Sequence, residues 1–277
     1  MIDRFYLLDT GFCHASEAAM VQGGARRIVD CHALVALFHH VREGWVLFDT
    51  GYAPRLTNAT RHFPFRFYRW LLYAHTSQEQ SAAGQLPRFG LLPGDIGHVV
   101  ASHFHPDHAG GLWDFPQARF VCDRNGWEWA RSAGGFKALH RGVLPYLLPP
   151  DFAARAQFTD AQSGPILPNI GPTYDMFGDG SCLLVPLAGH ARGQTGLFLP
   201  ETPRGATFLV ADAVYQARAI RENTPFPLPT ATFADDARDS TKTIQRLHEF
   251  WRERPDVVFL PAHCPEAFAY VTEWSKP

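Results

Sequence analysis

Residues 99–111 read VVASHFHPDHAGG: a short apolar run hands over to His103, His105, Asp107 and His108 within six positions. Three imidazoles and a carboxylate this close either repel one another or share a cation. A chain that keeps them together has to hold this loop at the end of a buried strand and bring further donors to it.

The same event recurs along the chain. CLLVPLAG runs into His190, TFLVA into Asp212, VVFLPA into His263 and, earlier, WVLF into Asp49. Each time an apolar strand stops at a side chain that can bind metal. Strand ends gather at sheet edges, and the loops there carry function, so residues distant in sequence can share one site. His103, His105, Asp107, His108, His190, Asp212 and His263 make seven donors. One zinc takes about four, so seven suits two divalent ions if one carboxylate bridges them. Imidazole with carboxylate, and no thiolate, suits zinc first and also iron, manganese or cobalt. Asp49 is the candidate for a carboxylate that orients an imidazole from behind. The remaining histidines lack such a pattern, and His39 and His40, ending a strand, are expected to face solvent.

Short runs rich in Val, Leu and Phe, bounded by Gly, Pro or Asp, predict strands over 5–8, 32–38, 45–48, 98–101, 119–122, 182–187, 207–210 and 257–260. Helices are predicted from a capping-box spacing at Thr76 through Leu86, over 125–131, and over 239–253, where Pro255 stops the run. Strands dominate early and alternate with helices later. That order predicts two mostly antiparallel or mixed sheets packed face to face with helices outside, an α+β architecture. The whole chain, 1–277, reads as a single domain with loop or helical elaborations around 52–76 and 134–175.

Composition excludes several classes. A net charge of −2 gives no reason to expect nucleic acid or an anionic membrane as partner, and no apolar run is long enough to span a bilayer. No secretory signal is read at the N-terminus, and five scattered cysteines without a C-x-x-C pair make a disulfide framework improbable. A reducing, cytoplasmic setting is expected.

HFHPDHAGG at 103–111, with DTG at 49–51, GHARGQTG at 189–196, AD at 211–212 and PAH at 261–263, resembles the signature set of the metallo-β-lactamase superfamily in order and spacing. The resemblance implies an αββα four-layer sandwich. It implies that His103, His105 and His190 hold one metal, that Asp107, His108 and His263 hold the other, and that Asp212 bridges. Tyr215, three residues after that aspartate in ADAVY, resembles the N-acyl homoserine lactonase branch, where a tyrosine there reaches the substrate carbonyl. The activity so implied is opening of a small-molecule lactone or ester by a metal-bound hydroxide, a quorum-quenching reaction for that substrate class. Asp107 would carry the proton from nucleophile to leaving alkoxide. Phe63, Phe65, Phe67, Tyr68 and Trp70 are candidates for an apolar wall along an acyl chain, and a homodimer contact is the rival use of that segment. Rivals for the activity are a glyoxalase II-like thioesterase, a phosphodiesterase or organophosphate hydrolase on the same scaffold, and a non-catalytic metal-stabilised binder of acyl metabolites.

Overall fold

The computed structural model describes residues 1–159 and 162–276; Asp160 and Ala161, within the 134–175 segment, and Pro277 lie outside the described residues. Strands β1 (Ile2–Ser16) and β2 (Ile28–His40) form a long antiparallel pair whose register slips between Asp9 and Phe12. They are joined by β3 (Gly44–Phe48), β4 (Ala74–His75), β5 (Ile96–Val100), β6 (Arg119–Cys122) and β7 (Ala156–Phe158) in a seven-stranded mixed sheet of order β4-β1-β2-β3-β5-β6-β7. A small hairpin pairs β8 (Ile166–Leu167) with β9 (Gly171–Pro172). A five-stranded sheet follows in simple order: β10 (Tyr174–Asp175), β11 (Leu183–Pro186), β12 (Thr195–Leu199), β13 (Thr207–Ala211) and β14 (Val258–Pro261), with only the last pair parallel.

Side-chain alternation builds the layers. In β2, Ala36 and Phe38 join Phe5, Leu7, Val46 and Phe48 against Leu184, Leu197, Leu209 and Leu260 of the second sheet. Their neighbours Val35 and Leu37 turn the other way, onto Leu86, Leu112, Phe115 and Trp127. In the smaller sheet, Val185, Phe198 and Phe208 face Ile244, Leu247 and Phe250 of the helix Ala237–Glu253. Both faces of each sheet are therefore buried, which is why these strands read as continuous apolar runs. The four layers match the sandwich expected from the sequence.

The helix Arg124–Arg131 is capped by Asp123, and Ala237–Glu253 by Asp236. The run from Thr76 differs: the helix covers only Ala82–Gln85, capped by the Ser81 hydroxyl, and passes into a 3₁₀ turn at Leu86–Phe89. Pro87 has no N–H with which to continue an α-helix. His40 also departs from expectation. It is fully buried, its Nε2 lying 2.9 Å from the N-terminal amine and 3.0 Å from Asp179 Oδ2, because the β10–β11 turn reaches across the end of β2. Strand β12 and the helix Pro265–Trp274 have no counterpart in the sequence reading. Among the described residues, no helix is long and apolar enough to cross a membrane.

Candidate metal centre

The seven donors come from one edge of the sandwich, and both sheets supply them. His103, His105, Asp107 and His108 follow β5; His190 follows β11, Asp212 follows β13 and His263 follows β14. Within the first loop, a change of backbone sorts the side chains. His105 is extended (ψ 154°), and Pro106 then opens the short helix Pro106–Ala109, so Asp107 and His108 project in a different direction. Two donor groups result: His103, His105, His190 and Asp212; and Asp107, His108, His263 and Asp212.

Asp212 belongs to both. Its Oδ2 lies 3.3 Å from His190 Nε2 and 4.0 Å from His103 Nε2. Its Oδ1 lies 3.2 Å from His108 Nε2 and 3.3 Å from His263 Nε2. Asp107 Oδ2 lies 3.2 Å from His263 Nε2. One carboxylate thus turns one oxygen toward each group.

The opposite nitrogens are held from behind, which fixes the tautomers. His108 Nδ1–H donates to Asp49 Oδ2 at 2.7 Å, and His263 Nδ1–H donates to the His32 carbonyl at 2.6 Å. His105 Nε2–H donates to the Arg141 carbonyl at 3.1 Å. Ser102 Oγ donates to Asp49 Oδ2 at 2.8 Å, so His103 Nδ1–H donates to Ser102 Oγ at 3.0 Å.

These tautomers leave lone pairs facing lone pairs. His105 Nδ1 lies 3.0 Å from His103 Nε2, with no proton left for either, and 3.0 Å from His190 Nε2. Burial first of all drives all three imidazoles below their ordinary pKa, His190 down to about 3, so they do not protonate at neutral pH. Neutral nitrogens this close are repulsive unless a cation lies between them. Donors about 2.0–2.1 Å from a tetrahedral ion sit roughly 3.3 Å apart, close to the spacings in both groups. In the second group, His108 Nε2 and Asp212 Oδ1 are buried without a hydrogen-bond partner. Orphans of this kind call for an ion, and the donor set fits divalent metal.

The DTG stretch explains itself in this setting. Asp49 adopts a left-handed φ of 63°, and its carboxylate is tied by Ser102 N at 2.7 Å as well as by Ser102 Oγ and His108. Thr50 N and Oγ1 both donate to the His108 carbonyl at 2.8 Å, fixing that residue's backbone. Gly51 has φ 64°, and a Cβ there would lie 1.9 Å from Thr10 Oγ1. Asp49 therefore sits behind the His108 imidazole.

Tyr215 lies across the two groups, its ring 5.7 Å from that of His190 and 5.3 Å from that of His263. Burial, then the charge of Asp212, holds its phenol well above its usual pKa, so it stays protonated. Phe226, 4.8 Å from Tyr215, covers it from the 223–233 loop.

The aromatic segment divides. Tyr68 is buried with Tyr52, Leu56 and Leu147, and Phe65 packs on that cluster. Phe63 and Trp70 are exposed; with Phe67 and Phe136 they form a chain of edge-to-face rings on the surface. The helix Arg66–Leu71 is short and presents its residues to both sides, so the five divide into a buried and an exposed set.

Sequence reasoning missed Ser102, the Arg141 and His32 carbonyls, and Phe226. Ser102 could have been suspected from its place before His103; a backbone carbonyl leaves no signal. Gly142 is the trace of the Arg141 contact: its φ is 65°, and a Cβ would meet the His105 ring at 2.8 Å. Gly142→Ala is expected to push His105 off its carbonyl and lower metal affinity by about 10–100-fold, the usual cost of losing such support. Competition with a chromophoric chelator measures it.

The family model described as the metallo-beta-lactamase superfamily matches residues 29–263. An N-acyl homoserine lactonase, AttM, of Azorhizobium caulinodans is 27% identical over 277 residues, covering 96% of this chain and 94% of the relative. A solved N-acyl homoserine lactone hydrolase, with the product N-hexanoyl-L-homoserine at its catalytic metal center, superposes with a TM-score of 0.76 at 22% identity, covering 97% of this chain and 96% of that one. AidC, a dizinc quorum-quenching lactonase, gives a TM-score of 0.64 at 16% identity, covering 94% and 87%.

Proposed function

The chain belongs to the metallo-beta-lactamase superfamily as a metal-dependent hydrolase, and from that premise we propose that it is a dinuclear lactonase acting on N-acyl homoserine lactone-type substrates. The observation that carries the reading is the Asp212 carboxylate, one oxygen toward each donor group. His103, His105 and His190 would hold one ion and Asp107, His108 and His263 the other, with Asp212 shared between them; zinc suits this donor chemistry best. When bound, the pair supplies an acidified water and a Lewis acid for a carbonyl oxygen.

The chain's own groups do the rest. Burial opposes ionisation of Asp107, but His108 and His263 outweigh it and bring the carboxyl down to about 2, so it stands ready as a proton acceptor at neutral pH. It takes the proton from the nucleophile and returns it to the ring oxygen that leaves. The Tyr215 O–H, protonated and lying across both groups, donates to the developing oxyanion. Phe226 over Tyr215 keeps bulk water from that hydrogen bond. Tyr68 and Phe65 give the inner part of an acyl-chain wall, and Phe63, Phe67 and Trp70 the outer part.

The test is a panel of N-acyl lactones, thioesters and phosphodiesters offered to metal-loaded protein. Ring opening should be the fastest reaction, and Tyr215→Phe should lower kcat for it by about 10–100-fold. Cleavage of a thioester or phosphodiester with no lactone turnover would move the protein to another branch. Binding of a lactone without turnover of any substrate would make it a sensor.

Metal loading should depend on pH in a defined order. Burial acts against protonation of His108 and His263, but Asp212 and the other carboxylates outweigh it and raise both well above 6.5 in the absence of metal. Each must shed a proton to bind an ion, whereas His103, His105 and His190 are already neutral. The second position therefore weakens first as pH falls. In metal-free protein the affinity for the second equivalent should therefore rise more steeply with pH than that for the first. Calorimetry in buffers of different ionisation enthalpy reads the released protons.

A further inference from the structure

Two of the five cysteines, 18 positions apart and without a motif between them, come together in the fold. Cys13 of β1 and Cys31 of β2 are direct register partners. Residues opposite one another in an antiparallel pair have Cα atoms about 4.5 or 5.5 Å apart and side chains on the same face. Both spacings fall within the roughly 4.4–6.8 Å that a disulfide spans. The two thiols interact with each other, and Cys31 also with the His263 ring. The pair forms its own small cluster with Met20, against which Tyr215 packs. It is therefore part of the wall of the metal centre.

The other three cysteines are differently placed. Cys122, Cys182 and Cys264 are sealed at 1%, 0% and 1% exposure, against 6% and 8% for Cys13 and Cys31. None of the three has a cysteine as register partner.

We propose that Cys13 and Cys31 are a redox modification site, closing a reversible cross-strand disulfide in the wall of the metal centre when the protein meets a peroxide. A small oxidant is required because the thiols are only slightly exposed. One thiol takes an oxygen atom from hydrogen peroxide: the O–O bond breaks, a sulfenic acid forms and water leaves. The second thiol then attacks that sulfur, the S–S bond forms, and its proton leaves with the hydroxyl as a second water. Two thiols are oxidised and one peroxide is reduced. The slip in register between Asp9 and Phe12 is what aligns the two cysteines, so the site belongs to this chain's own β1–β2 pairing.

The inference does not rest on the lactonase reading, and its test needs no substrate. Zinc-loaded protein is treated with a small excess of hydrogen peroxide, denatured and analysed for free thiols and intact mass. Two of the five thiols should disappear, the mass should fall by two hydrogens, and a peptide map should join the Cys13 and Cys31 fragments. Dithiothreitol should restore all five thiols. Cys122→Ser should behave like the parent. Cys13→Ser and Cys31→Ser should each stop at a sulfenic acid that a dimedone probe traps. Five surviving thiols, oxygen addition in place of hydrogen loss in the parent, or a bond joining any other pair would overturn the proposal.

Discussion

On the proposed dinuclear lactonase reading, Asp212→Ala is expected to cut bound metal from two equivalents per chain to one or fewer and to lower lactone turnover by about a thousandfold or more. The carboxylate carries one oxygen to each donor group, and among the described residues no other side chain belongs to both. Several kcal/mol of transition-state stabilisation rest on the ion pair, and each 1.4 kcal/mol is about tenfold in rate. Its removal also leaves His108 and His263, the two imidazoles it holds protonated in metal-free protein, without a buried counter-charge, a change that costs on the order of 3–5 kcal/mol where a buried partner is lost. Asp212→Asn keeps the shape and one carbonyl oxygen but not the charge, and so separates loss of metal from loss of fold. Elemental analysis of the two variants, alongside their circular dichroism, decides the matter: two equivalents retained in Asp212→Ala would remove the bridging role.

Asp107→Asn comes next. An amide neither accepts the nucleophile's proton nor returns one to the leaving oxygen, so kcat should fall by about 10²–10⁴-fold. His103, His105, His190 and Asp212 are untouched, so at least one equivalent of metal should stay. The penalty should be greatest for a lactone, whose alkoxide leaves poorly without a proton, and smaller for a thioester, whose thiolate leaves more readily. Equal penalties on both would assign Asp107 to metal binding alone.

Much of this site is legible in the chain because its donors sit where apolar strands end, and apolar runs survive as a pattern when both sheet faces are buried. Three kinds of feature escape. Backbone donors and acceptors carry no letter: the carbonyls of His32 and Arg141, which set two ring tautomers, depend on where the chain passes. Strand register is equally silent, so Cys13 and Cys31 look scattered until a slip in β1 sets them opposite each other. Local polarity also misleads: His40 looks like a wet strand end, yet Asp179 from a distant turn and the terminal amine enclose it. In β12, a strand entered through the polar GQTG stretch, Thr195 and Gly196 belong to that motif and leave only Leu197–Leu199 as an apolar run.

Each donor group draws on both sheets: His103 and His105 meet His190 in one, and Asp107 and His108 meet His263 in the other. Cations held there rivet the two halves of the sandwich along the edge where they would otherwise part. Escape from the native state then requires the ions to be released or the halves to come away still gripping them. The operational lifetime at elevated temperature is therefore expected to follow the rate of metal loss and to lengthen with free metal in the medium.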